Sequence, residues 1–214
     1  MSPERSRSIA EITRAVLSAR MLVAAIMGFA SGLPLLLTGS VLQAWMKDEG
    51  VDLGTIGLFA LVGLPYTLKF LWAPLMDRFT PNALGRRRGW LLIYQFALIG
   101  SLLFLSLAQP AADTWWLAVA ALLVTFFSAS QDIVIDAYRR EALADDEQGL
   151  GASLYVNGYR VGMLLASGGG LILADHMNFA QVYQLMAGFM LVGVVTTVFA
   201  PEPPLAEGIP NTLR

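Results

Sequence analysis

Long apolar runs separated by short polar stretches with turn residues dominate the chain; they fall near residues 21–45, 53–75, 90–108, 115–138, 149–174 and 179–200. An α-helix needs about 20 apolar residues to cross a bilayer, so the pattern predicts six membrane-spanning helices and short loops. The first twenty residues differ. There Arg5, Arg7, Arg14 and Arg20 alternate with Ile9, Ile12 and Val16, which predicts an amphipathic helix lying on the membrane surface. The first apolar run is longer than the core of a signal peptide and five more follow it, which argues against a cleaved leader.

Composition sharpens this picture. Of 214 residues, 56% are hydrophobic and 14% charged, against roughly 25% charged in a soluble domain. The expected fold is therefore an all-α membrane protein, a bundle of six transmembrane helices over residues 21–200. There is no cysteine and one histidine, His176, so neither a thiolate site nor a histidine metal centre is expected, and no cofactor. A net charge of −2 gives no footing for a nucleic-acid partner.

Charge distribution orients the bundle. Arg5, Arg7, Arg14, Arg20, Arg78, Arg86, Arg87, Arg88, Arg139 and Arg140 share one side, while Lys47 is the basic residue opposite, in a loop made acidic by Asp48, Glu49 and Asp52. The positive-inside rule then makes both termini cytoplasmic. Trp45, Trp90, Trp115 and Trp116 fall at span ends, where indoles favour the interface.

Four ionisable residues lie within the spans: Lys69, Asp132, Asp136 and Arg160. A charge at membrane depth costs about 2.5 kcal/mol or more, so such groups pair or face a wet cavity. Asp132 and Asp136 are four apart and so share a helix face. Asp132 lies about 9 Å above its cytoplasmic boundary and Arg160 about 16 Å, but their side chains lean toward each other. The expectation is an Asp132–Arg160 pair, with Asn157 on the same face as Arg160. Such a pair either lets two helices insert or marks a proton or solute pathway, the default for intramembrane charge. Paired carboxylates without a nucleophile or metal cluster do not make an enzyme. Gly28 and Gly32, like Gly158 and Gly162, have the spacing of close helix contact. Pro34 and Pro65 free backbone carbonyls that neighbours or water must satisfy. Near these breaks lie Tyr66, Tyr155 and Tyr159, rings suited to a sugar face or to packing.

The loop Ala73-Pro-Leu-Met-Asp77-Arg78 followed by Gly85-Arg86-Arg87-Arg88-Gly89 resembles the cytoplasmic signature of the major facilitator superfamily, with Ala73 in place of the leading glycine and extra residues before Gly85. Gly28-Phe-Ala-Ser-Gly-Leu-Pro34, Gly57-Leu-Phe-Ala-Leu-Val-Gly-Leu-Pro-Tyr66, Lys69-Phe-Leu-Trp-Ala-Pro-Leu-Met-Asp-Arg78 and Ser128-Ala-Ser-Gln131-Asp132-Ile-Val-Ile-Asp136-Ala-Tyr-Arg139 look like the AmpG muropeptide permease family. The resemblance implies the N-terminal half of an inner-membrane permease of Gram-negative bacteria. Such a permease imports N-acetylglucosaminyl-anhydro-N-acetylmuramic acid, with or without peptide, on the proton gradient, and so feeds peptidoglycan recycling and β-lactamase induction. A related branch carries acetyl-CoA. The resemblance adds Gln131 to the pathway residues Lys69, Asp132, Asp136, Asn157 and Arg160. It assigns gating to Asp77, Arg78 and Arg86 to Arg88, and makes residues 201–214 the start of a linker. It also implies membrane lipid and a missing C-terminal half or homodimer as partners. The alternative is a transport-incompetent membrane fragment.

Overall fold

The computed structural model describes residues 9–79 and 85–204, apart from the side chains of residues 9–12 and Asp77. Among the described residues every regular element is helical. Helix α1 (Ile9–Val16) leads into α2 (Ala19–Asp48); α3 (Leu53–Leu71) is followed by the short α4 (Ala73–Arg78); then come α5 (Arg86–Leu105) and α6 (Thr114–Ala142). Helix α7 begins as Gln148–Leu164, passes through a π-turn at Leu165–Gly169 and ends as Gly170–Ala174, and α8 is Phe179–Phe199. Helices α2, α3, α5, α6 and α8 are long and apolar enough to cross a membrane. The remaining rod, α7, is as long but less apolar, because Asn157, Arg160 and a series of glycines occupy its middle.

Helix α2 is the axis of the bundle, packed against α7, α6 and α8. Its contact with α7 is the closest in the molecule. A Cβ on Gly28 or Gly32 would collide with the carbonyls of Tyr155 and Tyr159, and one on Gly158 or Gly162 with the carbonyls of Ala25 and Phe29. Four glycines thus interlock reciprocally, and the two backbones touch. Lipid is as apolar as leucine, so helices in a bilayer gain little from hiding apolar surface from each other; close van der Waals approach is what holds them.

The interior divides into two apolar clusters. One gathers Leu37, Trp45, Met46, Leu98, Leu102, Leu117, Tyr183 and Met186, and the other Met27, Met76, Leu91, Tyr94, Val134, Ile135 and Tyr138. Ser31, Ser128, Gln131 and Asp132 form a buried polar layer on the α2 and α6 segments that link the two clusters. Trp45 belongs to the first cluster, stacked 6.0 Å from Phe179. It is packing rather than interfacial, unlike Trp115, which is 79% exposed.

Proline shapes α2. Pro34 lacks an N–H, so the carbonyl of Ala30 loses its helical donor; the Gln131 side chain on α6 supplies one instead, at 3.2 Å. Beyond Pro34 the helix opens into a π-turn at Leu37–Val41 with Gly39 at φ −98, ψ −108. The Thr38 hydroxyl donates to the Pro34 and Leu35 carbonyls at 3.3 and 3.2 Å, and the Tyr183 hydroxyl to the Leu37 carbonyl at 2.5 Å. The polar groups a bilayer could not solvate are thereby met by neighbours. At the start of α3, Asp52 accepts from the Thr55 hydroxyl and N–H at 2.6 and 2.9 Å. These bonds hold its carboxyl below the usual carboxylate range. Its support of α3 is therefore present above the unfolded carboxylate pKa and fades as pH falls through the lowered one.

The glycine contacts make a sharp forecast. Gly32→Ala should destabilise the bundle by about 1–3 kcal/mol, the usual cost of overpacking. Gly100→Ala, where nothing lies within 4 Å, should be neutral or gain up to about 1 kcal/mol from helix propensity. Unfolding of the two variants in one detergent reads the contrast, and equal stability would show that the α2–α7 contact is not tight.

Candidate functional site

The polar layer is built where α2, α6 and α7 meet. Asp132 on α6 is 6% exposed and accepts a hydrogen bond from the Ser31 hydroxyl on α2. Ser31 in turn accepts one from the Tyr155 hydroxyl on α7 at 3.1 Å. Tyr159 lies one turn along, its ring 6.2 Å from that of Tyr155, and its phenol is within electrostatic reach of Asp132. From α3, Lys69 acts on the Asp132 charge without forming an ion pair. The carboxylate therefore sits in a pocket of hydroxyls with one cation at longer range. Such a group can gain or lose a proton when a helix shifts, because its stability as an anion depends on a few movable donors.

The sequence expectation of an Asp132–Arg160 pair is not met. Arg160 and Asn157 are exposed on the outer face of α7, and the partner of Asp132 is Ser31. Depth and lean converged, but azimuth did not: Tyr155 and Tyr159 occupy the face of α7 that turns toward α2. Asp136 differs from Asp132 in burial. Asp136 is exposed beside Arg139, at 3.5 Å, although its charge still acts on Asp132. Gln131 is fully buried and committed to Ala30. The Tyr66 hydroxyl lies beside those of Ser128 and Thr38. Nothing in the pattern of apolar runs singled out Ser31. The available signal was its place inside the Gly28–Gly32 motif, where a small residue meets the other helix most closely.

A second polar cluster closes the end of the bundle where α5 begins. Arg86 reaches the Glu141 carboxylate at 2.7 Å, and Arg87 grips the same group through Nη2 at 2.7 Å and Nε at 3.1 and 3.2 Å. Glu202, beyond α8, accepts the backbone N–H groups of Arg87 and Arg88 at 2.7 and 3.1 Å, capping α5 from a distant segment. Gly85 makes room for it: its φ is +93, and a Cβ there would strike the Glu202 side chain. Arg88 donates to the carbonyls of Thr197 and Val198 at 3.0 and 2.6 Å. The three arginines are thus bound individually, two to α6 and one to the end of α8. Arg78 stands apart over the Phe79 ring at 6.0 Å; the side chain of Asp77 lies outside the described residues. The sequence reading did not single out Glu141 or Glu202, which lie 54 to 115 positions from the arginines they hold.

The chain matches the profile of the Major Facilitator Superfamily over residues 21–213. It is 47% identical over 196 residues to the anhydromuropeptide permease of Escherichia coli (strain K12), covering 91% of this chain and 40% of that protein. An uncharacterized protein of Haemophilus influenzae is 44% identical over 189 residues, covering 88% of this chain and 44% of the relative. The chain spans about two fifths of the length of these curated relatives.

Removing the donor tests the buried network. Ser31→Ala should cost about 1–3 kcal/mol of stability, because it leaves a buried carboxylate without its hydrogen bond. In an Asp132→Leu background the same change should cost clearly less. A double-mutant cycle by thermal unfolding measures this, and equal costs in both backgrounds would mean that the two residues are uncoupled.

Proposed function

The chain belongs to the Major Facilitator Superfamily, and we propose on that premise that it is the N-terminal six-helix half of a bacterial inner-membrane importer. The solute is an anhydromuropeptide, as the name of the Escherichia coli relative suggests, and the driving force is the proton gradient. In this reading residues 1–20 lie on the membrane surface, 21–200 form the transmembrane unit, 201–214 begin a linker, and both termini are cytoplasmic.

The observation that carries the reading is the buried carboxylate of Asp132, with Ser31 and Tyr155 as its hydrogen-bonded surroundings and Lys69 as a cation acting on its charge. Asp132 takes up the coupling proton. The sugar-facing groups are on α7: Tyr159, and above all Asn157 and Arg160, exposed between Val156 and Val161 at membrane depth. Lipid cannot solvate a guanidinium cheaply. This face is therefore a wall of a wet cavity whose opposite wall is a second six-helix unit, either a C-terminal half or another copy of this chain.

Alternating access needs a latch that forms in one state and opens in the other. Arg86 and Arg87 on Glu141, and Glu202 on the start of α5, make that latch, tying α5, α6 and the segment after α8 together at one end. The arginines also set topology. Replacing Arg86, Arg87 and Arg88 with Gln separates the two roles: correct topology by cysteine labelling with lost uptake assigns gating, whereas inverted topology assigns orientation alone.

The function itself is tested in proteoliposomes with an imposed proton gradient and a labelled anhydromuropeptide. The chain alone should not accumulate solute, and supplying a second six-helix unit should restore gradient-driven uptake. Asp132→Asn should then abolish accumulation. Accumulation by a chain that cross-linking proves monomeric would overturn the half-transporter reading. Failure with every second unit tried would favour a transport-incompetent fragment.

A further inference from the structure

The buried polar layer continues one turn past Asp132 toward the end of the bundle where α2 gives way to α3. Ser128 precedes Asp132 by four residues and so lies on the same face of α6; Thr38 follows Ser31 by seven, two turns along α2. From α3, Tyr66 brings its hydroxyl beside those of Ser128 and Thr38. Ser128 is fully buried. Neither its hydroxyl, nor that of Tyr66, nor the Gln131 carbonyl oxygen on the same helix seam has a hydrogen-bond partner. Thr38 uses its one donor on the Pro34 and Leu35 carbonyls and keeps its lone pairs as acceptors. Buried polar atoms are nearly always satisfied by protein or ordered water. A buried water needs two to four polar partners, and three hydroxyls from three helices supply them.

We propose that Tyr66, Ser128 and Thr38 form a water-binding site, Thr38 only as an acceptor, and that the Tyr66 and Ser128 hydroxyls and the water are a relay bringing protons to Asp132. The proposal rests on the reading of Asp132 as the proton carrier. Ser128 and Asp132 are about 6 Å apart along α6, a gap that one water making two O–H···O bonds of about 2.8 Å can cover. The proton comes from bulk water on the α2–α3 loop side. Each oxygen in the file accepts a proton on a lone pair while releasing its own to the next, so every hydroxyl and water is regenerated. The last transfer converts the Asp132 carboxylate to a carboxylic acid, and only O–H bonds form and break. The groups that face Asp132 are Ser31 from α2, Tyr66 and Lys69 from α3, Asp136 from its own helix and Tyr155 and Tyr159 from α7.

The test uses the full chain in lipid nanodiscs. After a pH jump, the infrared carbonyl band of protonated Asp132, assigned by its loss in Asp132→Asn, reports how fast the proton arrives. Tyr66→Phe and Ser128→Ala should each slow its appearance by about a hundredfold, the low end of what a positioned proton donor contributes. Ser101→Ala, whose hydroxyl bonds only to its own helix, should leave the rate unchanged. Unchanged rates in both relay variants would overturn the relay and leave Asp132 as carrier. A wild-type band that never titrates would overturn the relay and the carrier reading together. A second measurement is pulsed radiolytic footprinting, which oxidises side chains beside bound water. Tyr66 is itself partly exposed, so the reading is a comparison: labelling of Tyr66 that falls in Ser128→Ala supports the water site, and labelling that Ser128→Ala leaves unchanged overturns it.

Discussion

Backbone contact between α2 and α7 is the constraint on which the polar interior depends. Each of Gly28, Gly32, Gly158 and Gly162 leaves a space the width of a Cβ, and each space is filled by a carbonyl of the other helix. Only at that separation can the Tyr155 hydroxyl reach Ser31 at 3.1 Å while Ser31 reaches Asp132 on a third helix. A side chain at any of the four positions would force α7 outward and break the chain of hydroxyls at its first link. The glycines therefore set the electrostatic surroundings of Asp132 while carrying no polar side chain themselves.

The same economy governs α2 beyond the contact. Pro34 and the π-turn disturb the helix along its buried stretch, where freed carbonyls must find partners inside the bundle. Each freed acceptor is met by a specific neighbour: Ala30 by Gln131, Pro34 and Leu35 by Thr38, Leu37 by Tyr183. An unsatisfied carbonyl in hydrocarbon costs several kcal/mol, so these side chains are fixed in role by the bend. Gln131 illustrates the point. Its sequence neighbour Asp132 invites a shared functional assignment, yet its amide is occupied in replacing a proline's missing N–H.

Fold and helix boundaries were legible in the sequence because the bilayer imposes a length and an apolarity that few other structures need. The glycine contacts were legible too, since i, i+4 spacing fixes a shared face. Azimuth between helices was not. Depth and lean brought Asp132 and Arg160 together on paper, but the rotation of α7 about its axis is set by where its glycines touch α2, and that turns Tyr155 inward and Arg160 outward. The Glu141 and Glu202 contacts were hidden for a related reason: Glu202 meets Arg87 and Arg88 across 114 and 115 positions in sequence, a distance over which no local pattern speaks.

Helix α6 connects the two polar clusters mechanically. Asp132 and Glu141 are nine residues apart on one unbroken helix, about 13.5 Å at 1.5 Å per residue. Between them Arg139 places its guanidinium 5.3 Å from the Tyr155 ring, the same tyrosine that donates to Ser31. A helix transmits displacement along its axis with little loss, so a shift of α6 that changed the donors around Asp132 would also move Glu141 against Arg86 and Arg87. Under the proposed reading, protonation of the carboxylate and release of the arginines bias a single two-state element. Linkage then requires each to change the free energy of the other by the same amount. A proton entering at depth can open a latch at the surface without any ligand passing between them.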